Sequence, residues 1–157
     1  MLLAFIIRRM KIYIGADHNG FDMKANLAKV LTKAGYTVID EGDQKLQPDD
    51  DFPQFAERTI RAMQASSDHD AKGILICGSG QGMCMAANRF RGIRASLIWN
   101  TEEARAARND DDSNVLCLPA RSISEAEAVK IAEAWLETPF AGAARFKRRI
   151  HQLDQLG

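Results

Sequence analysis

Two patterns of hydrophobic positions alternate along the chain, short continuous apolar runs and apolar residues that recur every three or four positions. Residues 73–76 form a short run of continuous apolar character, which is typical of a strand buried on both faces. Leu27, Leu31 and Ala34 recur every three or four positions, which predicts a helix that Gly35 ends. The same patterns predict five strands, at 11–15, 37–39, 73–76, 95–98 and 114–118. They predict six helices, at 21–34, 52–65, 83–89 and 143–156, one that begins at residue 101, and one that Ser124 caps and that ends at about 136.

Strands that alternate with helices predict an α/β fold. The five strands are expected to form a parallel, Rossmann-like sheet between two layers of helices, which is a three-layer αβα sandwich. Ligands of such sheets bind beyond the carboxyl ends of the strands. The prediction places three segments at that edge: 16–20, 77–82 and the loop near Asn114.

The first nine residues need a separate interpretation. Their apolar run, 1–7, is too short to span a membrane, and Arg8 and Arg9 follow it, whereas a signal peptide begins with its charges. We interpret 1–9 as an N-terminal extension or a start-site artefact before Met10, with a targeting element as the alternative. Residues 10–157 contain no repeat or linker and are expected to form a single domain.

Composition argues against several classes of partner and cofactor. The 21 Lys and Arg residues balance the 21 Asp and Glu residues, so no net charge favours nucleic acid or an anionic membrane. Cys77, Cys84 and Cys117 are odd in number, and no two have the close spacing of metal ligands. We therefore predict no disulfide framework and no zinc site, in a protein of the reducing cytoplasm.

The segment 77–82 carries the strongest chemical signal. Cys77 is followed by three glycines within five residues, between a buried strand and a helix. Such a turn brings backbone N–H groups close to a ligand at a helix N-terminus, where they can hold an oxyanion or phosphate. The positive potential there favours a cysteine thiolate. The alternative is a buried core cysteine beside an ordinary turn. No Lys-Ser/Thr pair follows, so the segment is not a P-loop.

Two further groups of residues carry candidate chemistry. Asp17 and His18 follow the first strand, where they can bind sugar hydroxyls or phosphate and transfer protons, or simply form a turn and a helix cap. Arg145 and Arg149 are four positions apart on one helix face and can grip one phosphate, or form an ordinary solvated face. Both alternatives remain open from these residues alone.

Taken together, these segments closely resemble the family of ribose-5-phosphate isomerase type B and galactose-6-phosphate isomerase. The resemblance covers nearly the whole chain from Met10 onward. Its most specific motifs, in order, are Asp-His-x-Gly-Phe within 15–21, Ile-Cys-Gly-Ser-Gly-Gln-Gly at 76–82 and Asn-Val-Leu at 114–116. Further matching positions are Lys24, 38–42, 51–53, 86–88, 92–95, Arg121 and 134–136.

The resemblance implies aldose–ketose isomerisation of a phosphorylated sugar without metal or cofactor. It implies a homodimer, or a dimer of dimers, whose active sites are shared between subunits. Cys77 would transfer the proton through a cis-enediolate, with help from Ser79. The other roles implied are substrate or enediolate contacts for Asp17, His18, Gly78, Gly80, Gln81 and Gly82, and phosphate binding for Arg121, Arg145 and Arg149.

Three positions depart from the family pattern. Family members that open a furanose ring carry His and Asn where this chain has Asp110 and Asp111, and a His where it has Phe146. Two explanations compete. In the first, Asp110 or His18 opens the ring of the substrate, which is ribose 5-phosphate or a hexose 6-phosphate. In the second, the substrate is an acyclic tetrulose 4-phosphate, which has no ring to open. Asp111 would face the reacting oxygens. A non-catalytic sugar-phosphate-binding subunit is the alternative of another class, although the retained Cys77 argues against it.

Overall fold

A computed structural model of the protein describes residues 10–157, and the predictions for 1–9 lie outside them. The described residues form one parallel five-stranded sheet. Its strands are β1 (Lys11–Ala16), β2 (Thr37–Asp40), β3 (Lys72–Cys77), β4 (Ala95–Leu97) and β5 (Val115–Pro119). They lie in the order β2-β1-β3-β5-β4, which confirms the predicted α/β class.

Six helices connect and follow these strands. They are α1 (Phe21–Lys33), α2 (Phe52–Gln64), α3 (Gln81–Ala87), α4 (Thr101–Asp111), α5 (Glu125–Glu137) and α6 (Ala144–Asp154). Five of them begin within one residue of the predicted position, and α3 begins two residues earlier. A 3-10 turn, His18–Gly20, precedes α1, in agreement with the turn and cap given as one alternative for Asp17 and His18. The Asp17 carboxylate caps this turn by accepting the N–H groups of Asn19 and Gly20.

The apolar side chains of the strands divide into two cores, one on each side of the sheet. Ile14, Ile76 and Leu118 point into the core that includes Leu27 of α1 and Trp135 of α5. On the other side, alternate strand residues pack with α2 and α3, and these are Tyr13, Leu75, Cys77, Val115 and Cys117. This alternation follows from the two-residue period of a strand. It places the Cys77 side chain under α2 and α3.

Candidate active site

The carboxyl ends of β1 and β3 lie side by side. Ala16 pairs with Ile76 in the parallel register, and the N–H group of Asp17 donates to the Ile76 carbonyl oxygen at 3.3 Å. Asp17 and Cys77 therefore leave the sheet at the same edge, from neighbouring strands. This confirms the predicted placement of 16–20 and 77–82, and it is the edge where open α/β sheets bind ligands.

Cys77 ends β3 and is held between two strands. Its carbonyl oxygen accepts the N–H group of Ala120 at 2.9 Å, and the next carbonyl, of Gly78, accepts that of Arg121 at 2.9 Å. The residue is 5% exposed. The thiol is thus fixed by the sheet and lies at the boundary between the core and the turn that follows.

The turn after Cys77 requires glycine at two positions. Gly80 has φ +73°, and a Cβ there would meet the Leu97 side chain and lie 3.1 Å from the Leu118 carbonyl carbon. A Cβ at position 78 would lie 2.7 Å from the Arg121 Nε atom. Gly78 and Gly80 therefore both leave space that a side chain would fill. Gly80 also adopts a backbone angle that favours glycine.

Helix α3 begins immediately after this turn. The first turn of a helix leaves N–H groups without an acceptor inside the helix, and here they belong to Gln81, Gly82 and Met83. The N–H group of Gln81 donates to the Ser79 hydroxyl at 3.4 Å. The geometry matches the predicted oxyanion-binding turn, with Ser79 two residues from Cys77.

Arg121 brings a positive charge to this turn. Its guanidinium lies directly over the Gly78 Cα position, and its side chain is otherwise exposed. Residue 121 directly follows β5 and Ala120, so the same strand pairing that holds Cys77 also holds the arginine. Among the predicted phosphate ligands, Arg121 is therefore the one that lies beside Cys77 within this chain.

Asp17, His18 and Asp50 form a compact polar cluster at the same edge. One oxygen or nitrogen atom from each lies within 4.8 Å of the others. Burial raises the pKa of the Asp17 carboxyl, although the N–H groups of Asn19 and Gly20 oppose that rise. A hydrogen bond to the Asp50 carboxylate raises the pKa of His18. Asp50 was missed from the sequence, because it lies 32 residues from His18 in a polar loop without periodicity.

Four predicted site residues lie at the opposite edge of the sheet. Asp110 and Asp111 end α4, and the Asp111 carbonyl accepts the Nε–H of Arg94, the residue before β4. Arg145 and Arg149 lie on α6, and Arg149 is close enough to lower the pKa of Asp111, which burial and Asp110 raise. The four steps from Gly73 to Cys77 along β3 span about 13 Å, so these four site residues lie far from the Cys77 thiol.

The prediction for the loop near Asn114 is wrong. Asn114 precedes β5, so it lies at the amino ends of the strands, where its side-chain oxygen accepts the N–H group of Arg94 at 2.8 Å. A loop that enters a parallel strand always lies at the edge opposite to a loop that leaves one. Asn114 therefore supports the amino edge and does not line the edge that carries Cys77.

Cys117 belongs to the core, as predicted, whereas Cys84 is half-buried and packs against it. Cys117 is buried in β5, and burial raises the pKa of its thiol well above the usual value. Cys84 lies on α3, where its thiol donates to the Ala95 carbonyl oxygen at 3.4 Å. None of the helices within residues 10–157 has the length and apolar character needed to cross a membrane.

Comparisons with known proteins agree with this geometry. Residues 12–153 match the ribose/galactose isomerase family. A Mycoplasma pneumoniae protein named probable ribose-5-phosphate isomerase B is 42% identical over 137 residues, which is 87% of this chain and 89% of that protein. The Escherichia coli ribose-5-phosphate isomerase B is 36% identical over 146 residues, covering 93% of this chain and 95% of that protein.

Solved structures show the same fold. The Thermotoga maritima ribose 5-phosphate isomerase superposes with a TM-score of 0.88 at 37% identity, covering 94% of this chain and 99% of that one. The Mycoplasma genitalium enzyme, solved with bound ribulose 5-phosphate, has a TM-score of 0.88 at 36% identity and covers 93% and 95%. With the matched sequence extending over most of its length, this chain belongs to the ribose/galactose isomerase family.

Proposed function

We propose that the protein interconverts ribose 5-phosphate and ribulose 5-phosphate. The observation that carries this proposal is the Cys77 thiol at the head of a glycine turn, with the Arg121 guanidinium packed against Gly78. Family membership supports the reaction class, and the M. genitalium relative with bound ribulose 5-phosphate supports the substrate. An isomerase of this kind requires one base that moves a proton between adjacent carbons and donors that stabilise the intermediate.

Cys77 is the proposed base. As a thiolate it removes the proton from C2 of the open-chain aldose, which places the negative charge on the C1 oxygen and gives a cis-enediolate. The C1 oxygen gains its proton in the second half of the reaction, from the hydroxyl on C2. Cys77 then returns its proton to C1 as the hydroxyl on C2 loses its own, which yields the ketose. Ser79 assists Cys77, and N–H groups of 78–82 stabilise the enediolate oxygens. Asp17 and His18 contact the sugar, and Arg121 binds the phosphate.

A second copy of the chain completes the proposed site. Cys77 and Arg121 occupy one edge of the sheet, while Asp111 and Arg149 occupy the other, beyond reach of a five-carbon sugar bound at Cys77. A two-fold dimer can place the amino edge of one subunit against the carboxyl edge of its partner, and both sites then become equivalent. Arg145 and Arg149 bind phosphate from the partner, Asp111 faces the reacting oxygens, and Asp110 supplies ring-opening acid–base chemistry.

An isomerase of a tetrulose 4-phosphate is the second candidate, favoured by the acid at position 110. A four-carbon sugar 4-phosphate cannot close a furanose ring, because the hydroxyl needed for closure is esterified. Such a substrate needs no ring-opening group, so the loss of a histidine would cost nothing. A hexose 6-phosphate is the remaining choice in the same reaction class.

Isomerase assays across ribose 5-phosphate, erythrulose 4-phosphate and a hexose 6-phosphate test these alternatives. We expect the highest kcat/KM for ribose 5-phosphate, and a much higher value for the tetrulose would assign the second candidate instead. Deuterium incorporation from solvent into each sugar gives an independent readout of the Cys77 proton transfer. Binding of sugar phosphates without deuterium incorporation into any of them would identify a non-catalytic binding subunit.

A further inference from the structure

The His18 side chain is held by a single carboxylate oxygen. Asp50 Oδ1 lies 2.8 Å from the His18 Nδ1 atom, and the same oxygen accepts the backbone N–H of His18 at 2.9 Å. Two donors of one residue on one acceptor fix both the backbone and the imidazole plane. His18 is therefore constrained more tightly than its 34% side-chain exposure suggests.

The position of Asp50 is itself fixed by the protein. Its side chain is only 7% exposed, and the loop that carries it, 41–51, is anchored by the buried Lys24 amino group. That group donates to both Asp40 carboxylate oxygens at 2.9 and 3.0 Å and to the Asp43 carbonyl at 2.9 Å. A buried carboxylate is retained when it has charged or hydrogen-bonding partners, and those of Asp50 are the two donors of His18.

This arrangement selects one tautomer of the imidazole. An ionised carboxylate can only accept hydrogen bonds, so Nδ1 must carry the proton that points to Asp50. In the neutral ring the Nε2 lone pair then accepts a hydrogen bond from the Asn19 side-chain amide at 3.2 Å. This contact is exposed, so a bound substrate can replace the Asn19 amide. Nε2 is consequently the nitrogen that can exchange a proton or a hydrogen bond with a bound sugar phosphate.

We infer that Asp50 is a positioning residue that holds His18 in the Nδ1–H form and presents Nε2 to the substrate. The inference rests on the proposed function for the identity of the substrate, but its structural part stands independently. The charged groups that face His18 within the described residues are Asp17, Asp49 and Asp50, and all three are acids. They favour the imidazolium, in which Nδ1 still donates to Asp50 and the Nε2–H group can donate to a bound sugar phosphate.

Nitrogen-15 NMR of the histidine side chains tests the structural part directly. The chain contains three histidines, and His18→Gln identifies the signals of interest. In the wild type we expect Nδ1 protonated and Nε2 unprotonated in the neutral ring, with a pKa above the ordinary value of about 6.5. Asp50→Asn should lower that pKa, and Asp49→Asn, which removes a neighbouring charge without removing a hydrogen bond, should lower it less.

A neutral His18 that carries its proton on Nε2 would overturn the inference without any variant being made. It would also be overturned if Asp49→Asn shifted the pKa as much as Asp50→Asn. Because neither result depends on catalysis, an inactive wild type would refute the proposed function alone and leave the role of Asp50 to be decided by the spectra.

Kinetics separate positioning from a merely structural role. Asp50→Asn should lower kcat/KM for ribose 5-phosphate by about tenfold, as expected for coupled neighbours, and move the His18 limb of the pH profile to lower pH. In a His18→Gln background, the same Asp50 substitution should produce no further loss. An equal loss in both backgrounds would mean that Asp50 supports the loop and not the imidazole, and the inference would fail.

Discussion

Cys77 and Cys84 lie seven residues apart but have different surroundings. The Cys77 residue ends a strand at the glycine turn, whereas the Cys84 thiol is engaged with the Ala95 carbonyl on the inner side of α3. We expect Cys77→Ala to lower kcat by about 10²–10⁴-fold, the usual contribution of general acid–base catalysis, without unfolding the protein. Cys84→Ala is the matched control and should retain activity. An active, folded Cys77→Ala enzyme would eliminate the proposed mechanism.

Alanine variants at Gly80 and Gly92 distinguish the effect of backbone strain from an effect on catalysis. Both have positive φ angles, +73° and +78°, but a Cβ at Gly92 meets nothing within 4 Å, whereas one at Gly80 meets Leu97 and Leu118. Alanine at either position should cost about 1–2 kcal/mol of unfolding free energy from the left-handed backbone alone. Only Gly80→Ala should also reduce kcat, because only it distorts the turn after Cys77. Equal kcat values for the two variants would argue against a catalytic role for the turn geometry.

The sequence pattern predicted the site residues that are marked by their neighbours in the chain. It missed Asp50, whose contacts are made with a residue distant in sequence. The Cys77 turn is visible because three glycines follow Cys77 within five residues, and Asp17 and His18 are visible because they directly follow a strand. Asp50 makes its two hydrogen bonds across 32 residues of sequence. Nothing in its acidic neighbourhood distinguishes it from Asp49 or Asp51, since only the folded loop selects which of them meets His18.

At the scale of the element, helix α5 shows how a local sequence signal becomes stability. The Ser124 hydroxyl accepts the Glu127 N–H, and the Glu127 carboxylate accepts the Ser124 N–H at 2.7 Å, which confirms the predicted Ser124 cap and makes it a capping box. We expect Ser124→Ala to lower the free energy of unfolding by about 1 kcal/mol. Urea unfolding measures this, and Ser122→Ala, outside the helices, is the control. A variant as stable as the wild type would mean that the cap contributes nothing.

The same cap predicts a pH dependence. The hydrogen bonds from Ser124 lower the pKa of Glu127 in the folded protein. A depressed carboxyl pKa contributes stability above the unfolded value, and this contribution is lost as the pH falls through the folded pKa. The difference in unfolding free energy between wild type and Glu127→Gln should therefore be largest near neutral pH and shrink in acid. A difference that grew on acidification would contradict the assignment.

The helices and strands could be predicted because their hydrophobic periods and caps lie within a few neighbouring residues. The error at Asn114 concerned a different property, the edge of the sheet at which a loop lies. Hydrophobic period and caps specify where a strand or helix begins. They do not state at which end of the sheet a loop lies, which depends on whether the chain enters or leaves the strand there. Residue 114 enters β5, and its side chain supports Arg94 at the amino edge. Counting strand direction from the sequence would have placed it correctly.

At the scale of the whole molecule, the order β2-β1-β3-β5-β4 decides which predicted site residues meet. It brings β1, β3 and β5 together at the centre, so that Asp17, Cys77 and Arg121 leave the sheet from three adjacent strands. The order of strands is not encoded in any local pattern. Chain direction, and not strand order, places Asp111 and Arg149 at the opposite edge, because α4 runs back from the end of β4 to the start of β5 and Arg149 lies near its last residue, Asp111.

Mixed dimers test whether two subunits share each site. Cys77→Ala and Arg149→Ala should each be nearly inactive alone, because every site in either homodimer lacks one required residue. When the two chains are mixed and allowed to exchange subunits, half of the dimers combine both. In such a dimer one site carries Cys77 from one chain and Arg149 from the other, while the second site lacks both. About a quarter of wild-type activity should therefore return for a two-fold arrangement.

Mixing Cys77→Ala with Ser79→Ala, whose altered residues lie in the same turn, is the control and should restore nothing. No recovery with Arg149→Ala, despite proven subunit exchange, would show that each chain builds its site alone. Recovery in the control would mean that the restored activity does not report a shared site.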